Sequence, residues 1–148
     1  MSNDQYARQY ADRVAAGLAT IAQVDPERRT EPGMVGHWSL KDVLGHLAYW
    51  DGVHAEELES EFRGDQIIED GRDDDIINAE QFATRESWSW DQVMDEAIAN
   101  RDRLVELLKR PSRYDQSGSG EHWDEHRQEI DEWLKRNQPI AAADQPNG

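Results

Sequence analysis

Between residues 4 and 24 apolar side chains return every three or four positions: Tyr10, Val14, Leu18 and Ile21, with Ala11, Ala15 and Ala22 between them. That spacing follows the 3.6-residue period of an amphipathic helix, so the pattern predicts a helix from Asp4 to Val24 that Asp25-Pro26 ends. The following D-P-E-R-R-T-E-P-G-M-V-G, with two prolines and two glycines, predicts a loop. Leu40, Val43, Leu44, Leu47, Trp50, Val53 and Leu58 then form a wide apolar face. They predict a second helix from Leu40 to about Phe62, closed by Arg63-Gly64-Asp65. An Asp-rich connection follows, and Ile76, Ile77, Phe82 and Ala83 support a shorter helix from Asp74 to Arg85. From Trp90 to Lys109 helical spacing returns in Val93, Met94, Ala97, Ile98, Leu104, Val105 and Leu108, and Pro111 stops it. Gln116-Ser117-Gly118-Ser119-Gly120 has the composition of a flexible joint before a last helix, Glu121 to Asn137. Residues 138–148 have little to pack and are expected to fray.

Two helix starts are written in the same way. In Trp38-Ser39-Leu40-Lys41-Asp42-Val43, Ser39 is an N-cap, Asp42 its reciprocal acceptor three residues on, and Trp38 against Val43 a hydrophobic staple. Trp88-Ser89-Trp90-Asp91-Gln92-Val93 repeats the device, although nothing else in the two segments matches well enough for a duplication. The alternation of β-branched residues that a sheet requires is absent. Four long helices and a shorter one predict an all-α bundle, with residues 1–137 as one domain.

The 148-residue chain has no cysteine, which excludes disulfides, thiolate zinc sites and a cysteine nucleophile. It carries 32 Asp plus Glu against 16 Lys plus Arg, a formal charge of −16. Such a surface repels phosphate backbones and anionic headgroups, so neither nucleic acid nor membrane is an expected partner. The start M-S-N-D-Q-Y-A-R-Q-Y has no apolar signal core, and no apolar run approaches the length of a membrane span. A cytoplasmic location is the expectation.

Candidate chemistry lies in the histidines. His122 and His126, in E-H-W-D-E-H-R-Q-E-I, are one turn apart on a stripe shared with Ile130 and Trp133, so their imidazoles can converge on one ion. Spacing alone leaves the pair open between ligands and packing. His46, beside Val43, Leu47 and Trp50 on the inward half of the second helix, is the best candidate for a third ligand. His54, two turns further on, is an alternative third ligand or a supporting partner, and His37 in the loop is a solvated or capping residue. Three neutral imidazoles with a vacant position suit Zn²⁺ or Ni²⁺ and describe a catalytic rather than a closed structural site. A general base beside the site is expected but unassigned: Glu121, Glu125 and Glu129 flank the histidines on the last helix and Asp51 and Glu57 lie on the second, but in so acidic a chain each is first a member of a solvated face. Trp50 or Trp123 has the position to wall a pocket, with core packing the expectation for Trp50 and Trp133. Arg101, between Ile98 and Leu104, is expected to pair with an inward carboxylate.

The stretch H-W-S-L-K-D-V-L-G-H-L-A-Y-W-D, His37 to Asp51, resembles the second-helix signature of the DinB-like (damage-inducible) superfamily, roughly W-S-x-x-[DE]-x-x-x-H-L. The closing E-H-W-D-E-H-R-Q-E-I-x-x-W-L resembles that superfamily's last helix. The resemblance implies an up-down four-helix bundle with one additional short helix. It also implies a divalent metal ion on His46, His122 and His126, whose positions match the family's ligands without substitution. Relatives of this kind include metal-dependent enzymes that use a low-molecular-weight thiol such as mycothiol or bacillithiol for isomerisation or S-transfer, and metal-dependent hydrolases. The expected function is therefore a divalent-metal-dependent transferase, isomerase or hydrolase acting on a small-molecule substrate. The alternative is non-catalytic capture of a small molecule, or metal-free self-resistance resembling the colibactin-resistance branch, which typically lacks the three histidines. A homodimer is left open, since such bundles often pair although no oligomer-specific signal is present.

Overall fold

A computed structural model describes residues 1–67 and 69–137; the expected frayed end at 138–148 lies outside the described residues. Five helices follow one another: α1 Asn3–Ile21, α2 Leu40–Arg63, α3 Asp74–Arg85, α4 Trp90–Leu108 and α5 Glu121–Arg136, with a single 3₁₀ turn at Pro26–Arg28. No strand occurs among the described residues, and the class is an all-α bundle with one short extra helix, α3, between the second and third long ones. Predicted helix ends agree to within about three residues, α1 stopping at Ile21 while Val24 is still buried in the turn beyond it.

Both serine caps form as written. The Ser39 hydroxyl accepts the Asp42 N–H at 3.1 Å, and the Asp42 carboxylate accepts the Ser39 N–H at 2.9 Å. Ser89 and Gln92 make the same exchange at the start of α4. Each such cap is worth about 1 kcal/mol to its helix, and that at Ser39 fixes where the His46-bearing helix begins. Gly64 closes α2 in the left-handed conformation (φ 78°), where glycine avoids the strain of a side chain.

The long helices pack as two layers: α2 lies along α4, and α1 along α5 and α4, while α3 covers part of α2. Tyr10, Val14, Leu40, Leu44, Leu47, Leu104, Leu108, Trp123 and Ile130 are almost fully removed from water. The inward stripe of α1 differs from the expected one, because Gly17 and Thr20 are buried and Ala15 is exposed. Gly17 faces the Trp123 ring so closely that a Cβ built there would lie 2.7 Å from Trp123 Cε3. The missing side chain is therefore what lets the indole seat between α1 and α5. Arg85 ties α3 to α4 through Glu96 at 2.8 Å, and the Trp50 indole N–H donates to Asn78 Oδ1 at 2.8 Å, tying α2 to α3.

Candidate metal centre

His46 sits one turn and a half inside the capped start of α2, while His122 and His126 occupy the first two turns of α5. Gly120, left-handed at φ 89°, aims that helix, and its Cα leaves no room for a side chain beside Arg13. The three rings meet at their Nε2 atoms: His46 to His122 at 2.8 Å and His126 to His122 at 3.1 Å. One ligand atom from each lies within 4.8 Å of every other. Trp38, on the loop that enters α2, packs over the cluster with its ring 4.9 Å from His46 and 6.4 Å from His126, and Phe82 of α3 backs it at 4.4 Å. The site thus has an aromatic wall on one side.

The proton chemistry of this cluster suits a cation. Burial first, then the neighbouring His122 and His126 rings, push His46 down to about 3. Burial and His126 push His122 down to about 4, and burial lowers His126. All three rings are therefore neutral at ordinary pH, the form that offers a lone pair. A neutral ring nitrogen carries either one proton or one lone pair, so His122 Nε2 cannot satisfy both neighbours by hydrogen bonding alone. A metal ion accepting one lone pair from each nitrogen removes the conflict, and it leaves the Nδ1 atoms as the protonated ends. His46 Nδ1 and His126 Nδ1 are buried without a hydrogen bond, although Glu129 Oε1 lies 3.3 Å from His126 Nδ1, placed to orient that ring. The three histidines can hold a metal ion, and their chemistry fits one.

Beside the cluster lies a buried carboxylate that sequence reasoning assigned to a solvated face. Asp51 is 7% exposed, and its Oδ2 accepts the Tyr10 hydroxyl at 2.5 Å and the Trp123 indole N–H at 2.8 Å. Burial raises its pKa to about 6 against the pull of those two donors, and the same burial and the Asp51 charge raise that of Tyr10. Asp51 joins α1, α2 and α5 at the residue next to His122. Its signal in the sequence was its place on the stripe of Leu44, Leu47, Leu58 and Ala55, obscured by the abundance of carboxylates.

Other expectations change. His54 is not part of the cluster and instead lines a cavity of about 330 Å³ that it shares with Trp50, Asp51, Gln116, Ser119 and His122. Trp50 is half-buried rather than core, since it walls this cavity and a second of about 430 Å³ lined by Tyr49, Glu57 and Ile77, while Trp123 and Trp133 are buried. Arg101 pairs with its neighbour Asp102 at 2.7 Å rather than with an inward carboxylate. His37 is exposed, as expected for a solvated loop residue. Glu121 and Glu125 are exposed. The segment read as a flexible joint is pinned: Gln9 donates to Ser117 O at 2.8 Å, Arg13 to Ser119 O at 3.0 Å, and the buried Ser119 hydroxyl to Gln116 O at 2.7 Å. Gly and Ser were there for backbone geometry, not for mobility. No helix among the described residues is long and apolar enough to cross a membrane.

An all-helical bundle that brings three histidines from two of its helices to one point defines the class: a helical-bundle protein with a histidine cluster that could hold a metal ion. The family model of the DinB superfamily matches residues 1–137, and the chain belongs to that superfamily. Its fold is similar to that of an uncharacterised protein from Escherichia coli UTI89, with a TM-score of 0.79, 14% sequence identity, and 92% of this chain and 94% of that chain covered. No curated protein matches the chain.

Proposed function

We propose that the protein is a divalent-metal-dependent enzyme, a thiol-dependent S-transferase or isomerase, or a hydrolase, with His46, His122 and His126 as the ligands. The observation that carries this reading is the convergence of the three rings on His122 Nε2, which lies 2.8 Å from His46 Nε2 and 3.1 Å from His126 Nε2, two contacts that its one proton or one lone pair does not satisfy together. Nitrogen-only donors favour zinc or nickel. Such an ion, when bound, lowers the pKa of a coordinated thiol or water toward neutrality and so supplies a nucleophile. A chain without cysteine has to take any thiol from a small cosubstrate. The protein's own groups do the rest: burial keeps the rings unprotonated, Trp38 shields one side of them, and the Glu129 carboxylate stands 3.3 Å from His126 Nδ1, within reach of its proton once an ion occupies Nε2. His122 is more open than its two companions and borders the 330 Å³ cavity, which supports that side as the approach for substrate.

Elemental analysis of tag-free protein tests the reading. About one zinc or nickel ion per chain is expected, retained through gel filtration and lost in His46→Ala. Protein that carries no stoichiometric metal and takes none up on dialysis against either ion would refute it.

A further inference from the structure

The cavity beside His122 carries more information than its place. His46, Trp50 and His54 follow one another at i, i+4 and i+8 on α2, so they share a stripe about 12 Å long between the first and the last. His54 is thus beyond reach of an ion held by His46, yet it lines the same cavity as His122. A volume of about 330 Å³ is at the small end of ligand pockets.

Most polar groups around this cavity already have partners. Asp51 is held by Tyr10 and Trp123, the Ser119 hydroxyl by Gln116 O, Asp115 by the Ser117 N–H, and the Trp50 indole by Asn78. His54 has the Gln116 side chain beside it, and burial lowers its affinity for a proton; the Gln116 amide makes only long contacts of its own, Nε2 donating to Tyr114 O and Oε1 accepting from the Ser119 hydroxyl, both at 3.4 Å. At the end remote from His122, the pair therefore offers a neutral imidazole and an amide, groups that donate and accept hydrogen bonds without adding charge. No lysine or arginine lines the cavity, whereas Asp51 and Asp115 do. The neighbouring guanidiniums are committed elsewhere, Arg13 to Asp124 at 2.9 Å and Arg101 to Asp102 at 2.7 Å. The protein's net charge of −16 adds to the cost of bringing in an anion.

We propose that this cavity is the substrate pocket of the histidine cluster, that His54 and Gln116 hydrogen-bond the ligand at the end remote from His122, and that it takes small neutral or amine-bearing molecules in preference to anionic ones. The inference rests on the metal reading above, because the ligand's other end is placed at the cluster. His54 is then a specificity residue acting on the ligand's far group.

Cobalt(II)-loaded, tag-free protein tests this with three probes of one length: 6-mercaptohexanol, 6-aminohexanethiol and 6-mercaptohexanoate. Their end groups differ in charge but sit too far from sulfur to alter its acidity much. Thiolate-to-cobalt absorbance reports binding. The carboxylate probe is expected to bind at least about tenfold more weakly than the other two. His54→Leu should weaken 6-mercaptohexanol by about fivefold or more, and His54→Arg should shift the preference toward the carboxylate by about tenfold. Equal affinity for all three probes, or a uniform change in both variants as from a merely structural histidine, overturns the proposal. Failure of the cobalt d–d bands to appear at all would strike the metal reading instead. Calorimetry with the same probes on metal-free protein then decides the pocket separately: the same His54-dependent charge preference upholds it, and no preference rejects it.

Discussion

Asp51 permits a test in which one substitution isolates one group. At neutral pH the folded protein holds an ionised carboxylate in a site that raises its pKa from the ordinary 3.8 to about 6. A raised folded pKa means that the native state binds the proton more tightly than the unfolded chain. The group's contribution to stability is therefore fully present below about pH 3.8 and is lost as pH rises through about 6. The loss is about 2.2 pH units at 1.36 kcal/mol each, or about 3 kcal/mol. Asparagine can keep its carbonyl oxygen where Oδ2 accepts from Tyr10 and Trp123, and it has no charge to desolvate. Asp51→Asn should thus be more stable than the parent by up to about 3 kcal/mol at about pH 7.5, with the gap closing toward about pH 4. Urea denaturation of metal-free parent and variant across that range measures it, and the histidine contributions cancel in the difference. Asp51→Leu, which strands two buried donors, should be about 2–5 kcal/mol less stable than Asp51→Asn at every pH. A parent-minus-Asn difference that does not change with pH would refute the assigned burial of the charge.

Gly17→Ala ordinarily favours a helix by up to about 1 kcal/mol. Here the new methyl would lie 2.7 Å from the Trp123 ring, which Asp51 holds in place, so overpacking of about 1–3 kcal/mol should dominate and lower the thermal midpoint. An unchanged or raised midpoint in calorimetry would contradict that packing. The cluster histidines set the acid limit of the metal-free protein. Their folded pKa values are depressed, to about 3 for His46 and about 4 for His122, so the stability they contribute is present above about pH 6.5 and is lost as pH falls toward those values. For the buried His46 the slope is up to about 1.4 kcal/mol per pH unit. In Asp51→Asn, freed of the opposing trend, stability should fall steadily from about pH 6.5 to pH 5 in urea melts, and a flat profile would show that the rings protonate without cost.

Much of the fold was legible because its signals are local. The apolar period marks each helix, and Ser39-x-x-Asp42 and Ser89-x-x-Gln92 mark two starts to the residue. Even α3 was visible, although of the four apolar residues that marked it only Ile77 is buried, Phe82 is half-buried against Trp38, and Ile76 and Ala83 face solvent. What stayed hidden depends on side chains from three helices meeting at one place. Gly17 looked like a neutral gap in the α1 stripe until Trp123 was seated against it, and Asp51 was one of many carboxylates until Tyr10 and Trp123 converged on it. The segment 116–120 misled for a related reason: its glycines and serines suggest freedom, but Gln9 and Arg13, more than a hundred residues earlier, hold it.

The long-range contacts also explain how two helices that meet only briefly can hold a three-residue cluster. α5 is seated chiefly on α1, and α2 chiefly on α4, so the cluster's ligand-bearing helices are each supported from outside the pair. Between them, Asp51 reaches Trp123 one residue after His122 and five residues after His46. That bond fixes both the rotation of α5 and its height along α2, which spacing within either helix alone cannot do. Gly17 allows α1 to press on the same indole from behind. The geometry at His46, His122 and His126 is therefore inherited from residues with no place in the histidine pattern. A bundle that kept the three histidines but lost Asp51, Trp123 or Gly17 would keep the motif without the means of bringing its nitrogens together.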